Sequence, residues 1–161
     1  MKNKLWLLLL FPLAMLVGSS KEPAKEIVPR KIDLIGTWEL VKQRKNDDTL
    51  YWDIPKFVIY RKLITEKHFT WVYYDADGQE VMGTGGGTYT LKNGTYIENI
   101  EYIYPASGAG LLGSAIPFDC KIIEGKWHHI GYLQHREYDA EKDRYVVVQT
   151  EKIEEVWRKV D

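Results

Sequence analysis

The sequence predicts an all-β domain, an antiparallel up-and-down β-barrel of about 8–10 strands. Three observations carry this. Apolar and polar residues alternate in short runs from Ile32 onward, the period of a half-buried strand. Turn residues punctuate the runs at Asn46-Asp47-Asp48, Asp75-Ala76-Asp77-Gly78, Asn93-Gly94 and Glu124-Gly125. The chain also holds 11 Tyr, 6 Trp and 4 Phe, residues that favour pleated strands. So many short strands in one small domain favour closure, because a closed barrel has no free edges.

The first 20 of the 161 residues are expected to stand outside this domain. Lys2 and Lys4 precede the apolar run Leu5 to Val17, and Gly18, Ser19 and Ser20 follow it, the pattern of a secretory signal peptide cleaved near Ser19 or Ser20. The run is shorter than the roughly 20 apolar residues a membrane-spanning helix needs. Uncleaved, it would be an N-terminal anchor. Residues 21–31, "KEPAKEIVPR" and Lys31, are polar, carry two prolines and read as a linker. Residues 32–161 then form one domain. Taking Lys2 and Lys4 from the 22 basic residues leaves 20 against 23 acidic ones. That balance gives no reason to expect nucleic acid or an anionic membrane as partner. Cys120 is the sole cysteine, so the exported domain must be held by its core rather than by an internal disulfide.

The elements follow in order. "GTWELVKQR" (Gly36–Arg44) alternates up to the Asn46-Asp47-Asp48 turn. "KFVIYRKLIT" (Lys56–Thr65) follows Pro55, and "KHFTWVYY" (Lys67–Tyr74) puts Phe69, Trp71 and Tyr73 on one face. Thr88 to Tyr104 reads as two strands about Asn93-Gly94, the strongest short hairpin signal. Pro117 to Gln134 is a second pair about Glu124-Gly125, and "RYVVVQ" and "KIEEVWRKV" are two closing strands. Pro105 to Ser114, "PASGAGLLGS", is the one helical or irregular insert, and a candidate lid at the barrel mouth.

Two ends of the chain belong together. Gly36-Thr37-Trp38 resembles the Gly-x-Trp signature of lipocalins, and Arg158 in "EEVWRKV" stands where lipocalins keep a basic residue packed across that tryptophan. With "ITEKHFTWVYYD", "GGGTYTL", "GTYIENIEY" and "GKWHHIG", the series resembles a lipocalin-like family of secreted proteins and lipoproteins of Gram-negative bacteria, known mainly as a domain of unknown function. The resemblance spans Ile32 to Val160. It implies a calycin-type barrel, an exported location and a structural Trp38–Arg158 pair, and brings no established ligand or activity. Ser19 departs from the family, since it stands where a lipoprotein carries its lipidated cysteine.

The glycine run Gly83 to Gly87 is no phosphate loop, because the third glycine of Gly-x-Gly-x-x-Gly is a threonine and no helix follows. Inside a strand it marks a bend, a bulge or the close approach of another group. In the next strand Tyr96, Glu98, Ile100 and Tyr102 share one face and Glu101 lies on the other, so either Glu98 or Glu101 turns a carboxylate inward. His128 and His129 are strand neighbours that point to opposite faces and cannot jointly ligate one metal ion. His68 and His135 stand alone, Glu154-Glu155 reads as an exposed residue beside one at the mouth, and Cys120 reads as a small buried apolar residue. No metal site, cofactor or catalytic set is expected.

These readings point to an exported, non-enzymatic binding protein, periplasmic or extracellular. Its partner would be a small hydrophobic or amphipathic molecule in an aromatic lumen lined by Trp71, Tyr73, Tyr96, Glu98, Tyr102 and Trp127. The alternatives are an envelope interaction module with a packed, ligand-free barrel, and an enzyme pairing Glu98 or Glu101 with a histidine.

Overall fold

The hairpins are the units from which the barrel is built. The structure, a computed structural model, describes residues 32–161; the expected signal peptide and linker lie outside the described residues. The strands are β1 (Gly36–Lys45), β2 (Trp52–Asp53), β3 (Val58–Ile64), β4 (His68–Asp75), β5 (Val81–Lys92), β6 (Thr95–Tyr104), β7 (Ala115–Ile123), β8 (Lys126–Asp139) and β9 (Arg144–Lys159). Asn93 and Gly94, at φ 54° and 80°, and Glu124 and Gly125, at 51° and 74°, form two-residue turns whose left-handed backbone matches the twist of the flanking strands. Between β4 and β5, Gly78 and Gln79 donate their N–H groups to Asp75, at 3.0 and 2.8 Å.

Eight long strands close into an antiparallel barrel, an architecture consistent with the lipocalin/calycin-like fold. The order is sequential from β3 to β9, and β1 joins both ends of the row. Gly36 to Glu39 pair with Ile64 to Arg61 of β3, while Trp38 to Lys45 pair with Lys159 to Ile153 of β9, around a bulge at Val41. The short β2 pairs with Lys42 and Gln43, prolonging the wall beyond β3.

The two closing strands expected from "RYVVVQ" and "KIEEVWRKV" are one. β9 runs unbroken for 16 residues, because Thr150 and Glu151 between them offer no turn chemistry. The insert between β6 and β7 contains a 3₁₀ helix at Ala106–Leu111, with Gly110 buried against the Arg136 carbonyl.

The connections divide between two ends. Residues 46–57, 76–80, 105–114 and 140–143 lie at one end; the two tight turns, residues 65–67 and the start of β1 lie at the other. On the outside of β9, Glu154 is buried beneath the β1–β3 connection. It accepts bonds from Arg44 Nη2 at 2.5 Å, Lys152 Nζ at 2.6 Å and Tyr51 Oη at 2.8 Å. Its expected exposure is thus corrected: the connection folds down over it. Burial pushes this carboxyl up, but the donors Lys152, Arg44 and Tyr51 outweigh burial and bring it down to about 2. A folded value below the unfolded one, about 4.3, contributes stability above that pH, and the contribution is lost as pH falls through about 2. Glu154→Gln should therefore lower the melting temperature at neutral pH and flatten its decline between about pH 4.5 and 2. An acid limb as steep as the parent's would overturn the assignment.

Candidate functional site

Strand alternation and register fix what the lumen contains. Trp38 opposes Lys62, Lys62 opposes Trp71, and Tyr60 opposes Tyr73, so these five side chains share the inner face. From the far wall come Tyr96, Glu98 and Ile100 of β6, Phe118 and Cys120 of β7, Trp127 and His129 of β8, and Glu155 and Trp157 of β9.

The glycines decide how wide the lumen is beside β4. Gly83 and Gly85 oppose Tyr73 and Trp71, whose rings lie across them on the inside. A Cβ at Gly85 would stand 2.6 Å from Trp71 Cζ2. The wall is bare so that two large rings can lie against it. Gly85→Ala should cost about 1–3 kcal/mol by forcing the indole away, read as a lowered melting temperature with shifted tryptophan emission. An unchanged emission spectrum would count against this packing.

A bulge between Gly86 and Gly87 then moves one predicted site residue. It inserts Glu101 as the extra residue of β6, so that Gly87 opposes Ile100 and Gly86 opposes Tyr102. Tyr102 is consequently turned outward and exposed. It lies over Gly86 and donates its hydroxyl to Thr70 Oγ1 at 2.5 Å. Its expected place in the lumen is corrected, and the cause is the bulge.

The sealed end is closely packed. Trp127 and Tyr96 are 0 % exposed and Trp157 is 1 % exposed, joined by edge and stacked contacts at 5.3–5.9 Å between ring centroids. Trp38 crosses Trp127 edge-on at 5.6 Å and donates its indole N–H to Leu34 O at 2.7 Å. Arg158 also departs from its expected place. Trp38 faces inward with Lys159 as its ladder partner, so Arg158, one residue away, points outward and pairs with Glu39 at 2.7 Å. The cation over the Trp38 ring is Lys159, 5.7 Å from its centroid.

Above this floor sits a buried ion pair. Lys62 Nζ meets Glu98 Oε1 at 2.6 Å, with both side chains almost wholly enclosed. Four rings surround the ammonium: Trp157 at 4.9 Å, Trp127 at 5.2 Å, Tyr96 at 5.8 Å and Phe69 at 6.0 Å. Ring faces carry negative potential and share with Glu98 the task of replacing the water Lys62 has lost. The Tyr96 phenol, buried beside the Glu98 carboxylate, is raised far above its usual range. Burial likewise pushes the Cys120 thiol up to about 11, with Trp127 partly offsetting it, so Cys120 is neutral and buried.

Next along the lumen, His129 Nδ1 lies 3.1 Å from Glu155 Oε2, and the Trp157 indole N–H reaches the same oxygen at 3.1 Å. Burial, and then the charge of Lys62, hold His129 below its usual value. A neutral ring with its proton on Nδ1 donates to Glu155 and leaves Nε2 as a bare acceptor, which has no partner among the described residues. His128 points outward, as alternation requires.

Toward the open end the aromatic wall continues but is no longer closed over. Tyr60, Trp71 and Tyr73 are half-buried although they face inward. Tyr60 touches Trp157, Trp71 and Tyr73 at 5.5–5.9 Å, and the Trp71 and Tyr73 rings are stacked. Lys45 Nζ meets Glu151 Oε2 at 3.1 Å nearby. A separate cleft of about 190 Å3 lies on the outer wall where β7 and β8 diverge, between Leu111, Pro117, Tyr132 and Arg136.

Of the residues expected to line the lumen, the structure brings Trp71, Tyr73, Tyr96, Glu98 and Trp127 to the inner face, divided between the sealed floor and the open half. Lys62, Tyr60, His129, Glu155 and Trp157 were not singled out as lining residues. Two of them leave a mark: Lys62 interrupts the row Tyr60, Lys62, Ile64, and Glu155 interrupts Ile153, Glu155, Trp157, each a lone charge in an apolar row. Among the described residues no group of three or more His, Cys, Asp or Glu side chains could hold a metal ion, and no helix is long and apolar enough to cross a membrane. No protein-family model matches the chain, and no curated protein matches it.

Proposed function

We propose that this chain is an exported, non-catalytic binding protein of lipocalin-like kind, which holds a small apolar or amphipathic molecule in the open half of its barrel. One observation carries the reading. The inward-facing residues Tyr60, Trp71 and Tyr73 are only half-buried, while the floor beneath them, Trp38, Trp127 and Trp157, is sealed. An aromatic lining with few polar groups is the usual chemistry of a small-molecule site. Export rests on the basic, apolar and small-residue sequence of Met1 to Ser20.

Native mass spectrometry of the protein purified from its own host tests both parts. The expected result is a polypeptide that lacks its leader and carries an added mass released on denaturation. An intact Met1 would overturn cleavage of the leader. Absence of added mass, together with tryptophan emission indifferent to amphiphiles, would overturn the binding reading. The second reading, an envelope interaction module, is favoured by Leu50 and Phe57 near the open end, 77 % and 71 % exposed.

A further inference from the structure

Within that reading, which this inference presupposes, the lumen also indicates the charge of its occupant. Two carboxylates and one lysine face its inner region: Lys62 is taken by Glu98 at 2.6 Å, which leaves Glu155 without a permanent cation of its own. The Glu155 partners are His129 and the Trp157 indole, and both bond to Oε2. Oε1 accepts no hydrogen bond from any described residue, and the side chain keeps 11 % of its surface open. That oxygen is not among the buried atoms left without a partner, so it keeps access to solvent and is available to a donor or a cation.

What surrounds that oxygen is suited to a cation. Trp157, bonded to Glu155, touches Tyr60, and Tyr60 touches Trp71 and Tyr73, so the carboxylate lies at the inner end of the half-open aromatic wall. Burial and the charges of Glu155 and Glu98 raise the Tyr60 phenol well above its usual range, which places that ring within the field of both carboxylates. Aromatic faces attract ammonium groups and repel carboxylates. The rim agrees in sign: the four connections at the open end carry Asp47, Asp48, Asp53, Asp77, Glu80, Glu141 and Asp143 against Lys56 and Lys142. Such a field raises the encounter rate of cations and lowers that of anions.

We propose that the lumen binds a protonated organic amine, its ammonium group on Glu155 Oε1 and its apolar body against Tyr60, Trp71 and Tyr73. Primary amines fit better than quaternary ones, because Oε1 is a free hydrogen-bond acceptor and an N–H can use it. Lys62 and Glu98 neutralise one another beneath the site, so the charge offered upward is that of Glu155.

The test compares three probes of one shape, phenethylamine, phenethyl alcohol and hydrocinnamate, titrated against the intact protein by calorimetry and tryptophan emission. The amine should bind at least about tenfold more tightly than the alcohol, and the anion least. Glu155→Gln keeps the shape and should remove the preference for the amine while leaving the alcohol unchanged. If amine and alcohol bind alike, or the anion binds best, the lumen is a small-molecule site and the inference about charge is wrong. If none of the three binds, the binding reading fails together with it. Should Glu155→Gln not fold, the selectivity of the parent protein alone decides. A preference for the amine that survives in a folded Glu155→Gln would remove Glu155 from the site.

Discussion

Glu98→Ala lowers the unfolding free energy by about 3–5 kcal/mol, read from denaturant melts at neutral pH. The size follows from what the variant leaves behind. Lys62 is 4 % exposed and its ammonium would keep only ring faces as partners. Cation–π contacts of about 0.5–2 kcal/mol each do not replace a charged acceptor at 2.6 Å. The double variant Lys62→Met with Glu98→Leu should recover most of the loss, since an apolar pair of similar volume requires no desolvated charge. The pair therefore supplies little net stability, and its removal one member at a time is severe. A single variant that melts within about 1 kcal/mol of the parent would show that water reaches the pair.

Trp38→Ala should cost about 3–5 kcal/mol. The indole is 2 % exposed, crosses Trp127 edge-on at 5.6 Å and holds Leu34 O at 2.7 Å. Its loss opens a cavity at the sealed end and strips a buried carbonyl of its donor. Trp38→Phe separates the two effects: it fills most of the volume but leaves Leu34 O unpaired, and should cost about 1–3 kcal/mol. Equal melting temperatures for the parent and Trp38→Ala would remove Trp38 from the floor. Arg158→Ala serves as the contrast, because its exposed pair with Glu39 lies outside the barrel and carries little.

The wall was legible in the sequence and the site only in part. Asn93-Gly94 and Glu124-Gly125 each announce a turn by local chemistry, so the hairpins they join could be placed by inspection. Inner faces followed from alternation as long as a strand was regular, which holds for Trp71, Tyr73, Tyr96 and Trp127. Alternation failed at Tyr102, because the bulge is set by how Gly86 and Gly87 meet Ile100 and Tyr102 across the ladder. The resemblance, not alternation, misplaced Arg158: the residue opposite Trp38 is its neighbour Lys159. The polar interior was hidden for another reason. Lys62 and Glu98 stand 36 positions apart, and His129 and Glu155 stand 26 apart. Glu98 is expected in the lumen, but the sequence does not name the partner of any of these groups until closure brings it near.

That closure also orders events in time. Every ladder from β3 to β9 joins neighbours in sequence, so each can form by searching only a short stretch of chain. The seam between β1 and β9 alone requires Trp38 to find Lys159 and Lys45 to find Ile153, across more than a hundred residues. The entropy of that search grows slowly with length, yet nothing local rewards it beforehand. Trp127 and Trp157 already face each other across the β8–β9 hairpin, and Trp38 reaches the strand of Trp157 only when the seam shuts, so the emission change that depends on Trp38 should report closure and not the formation of strands.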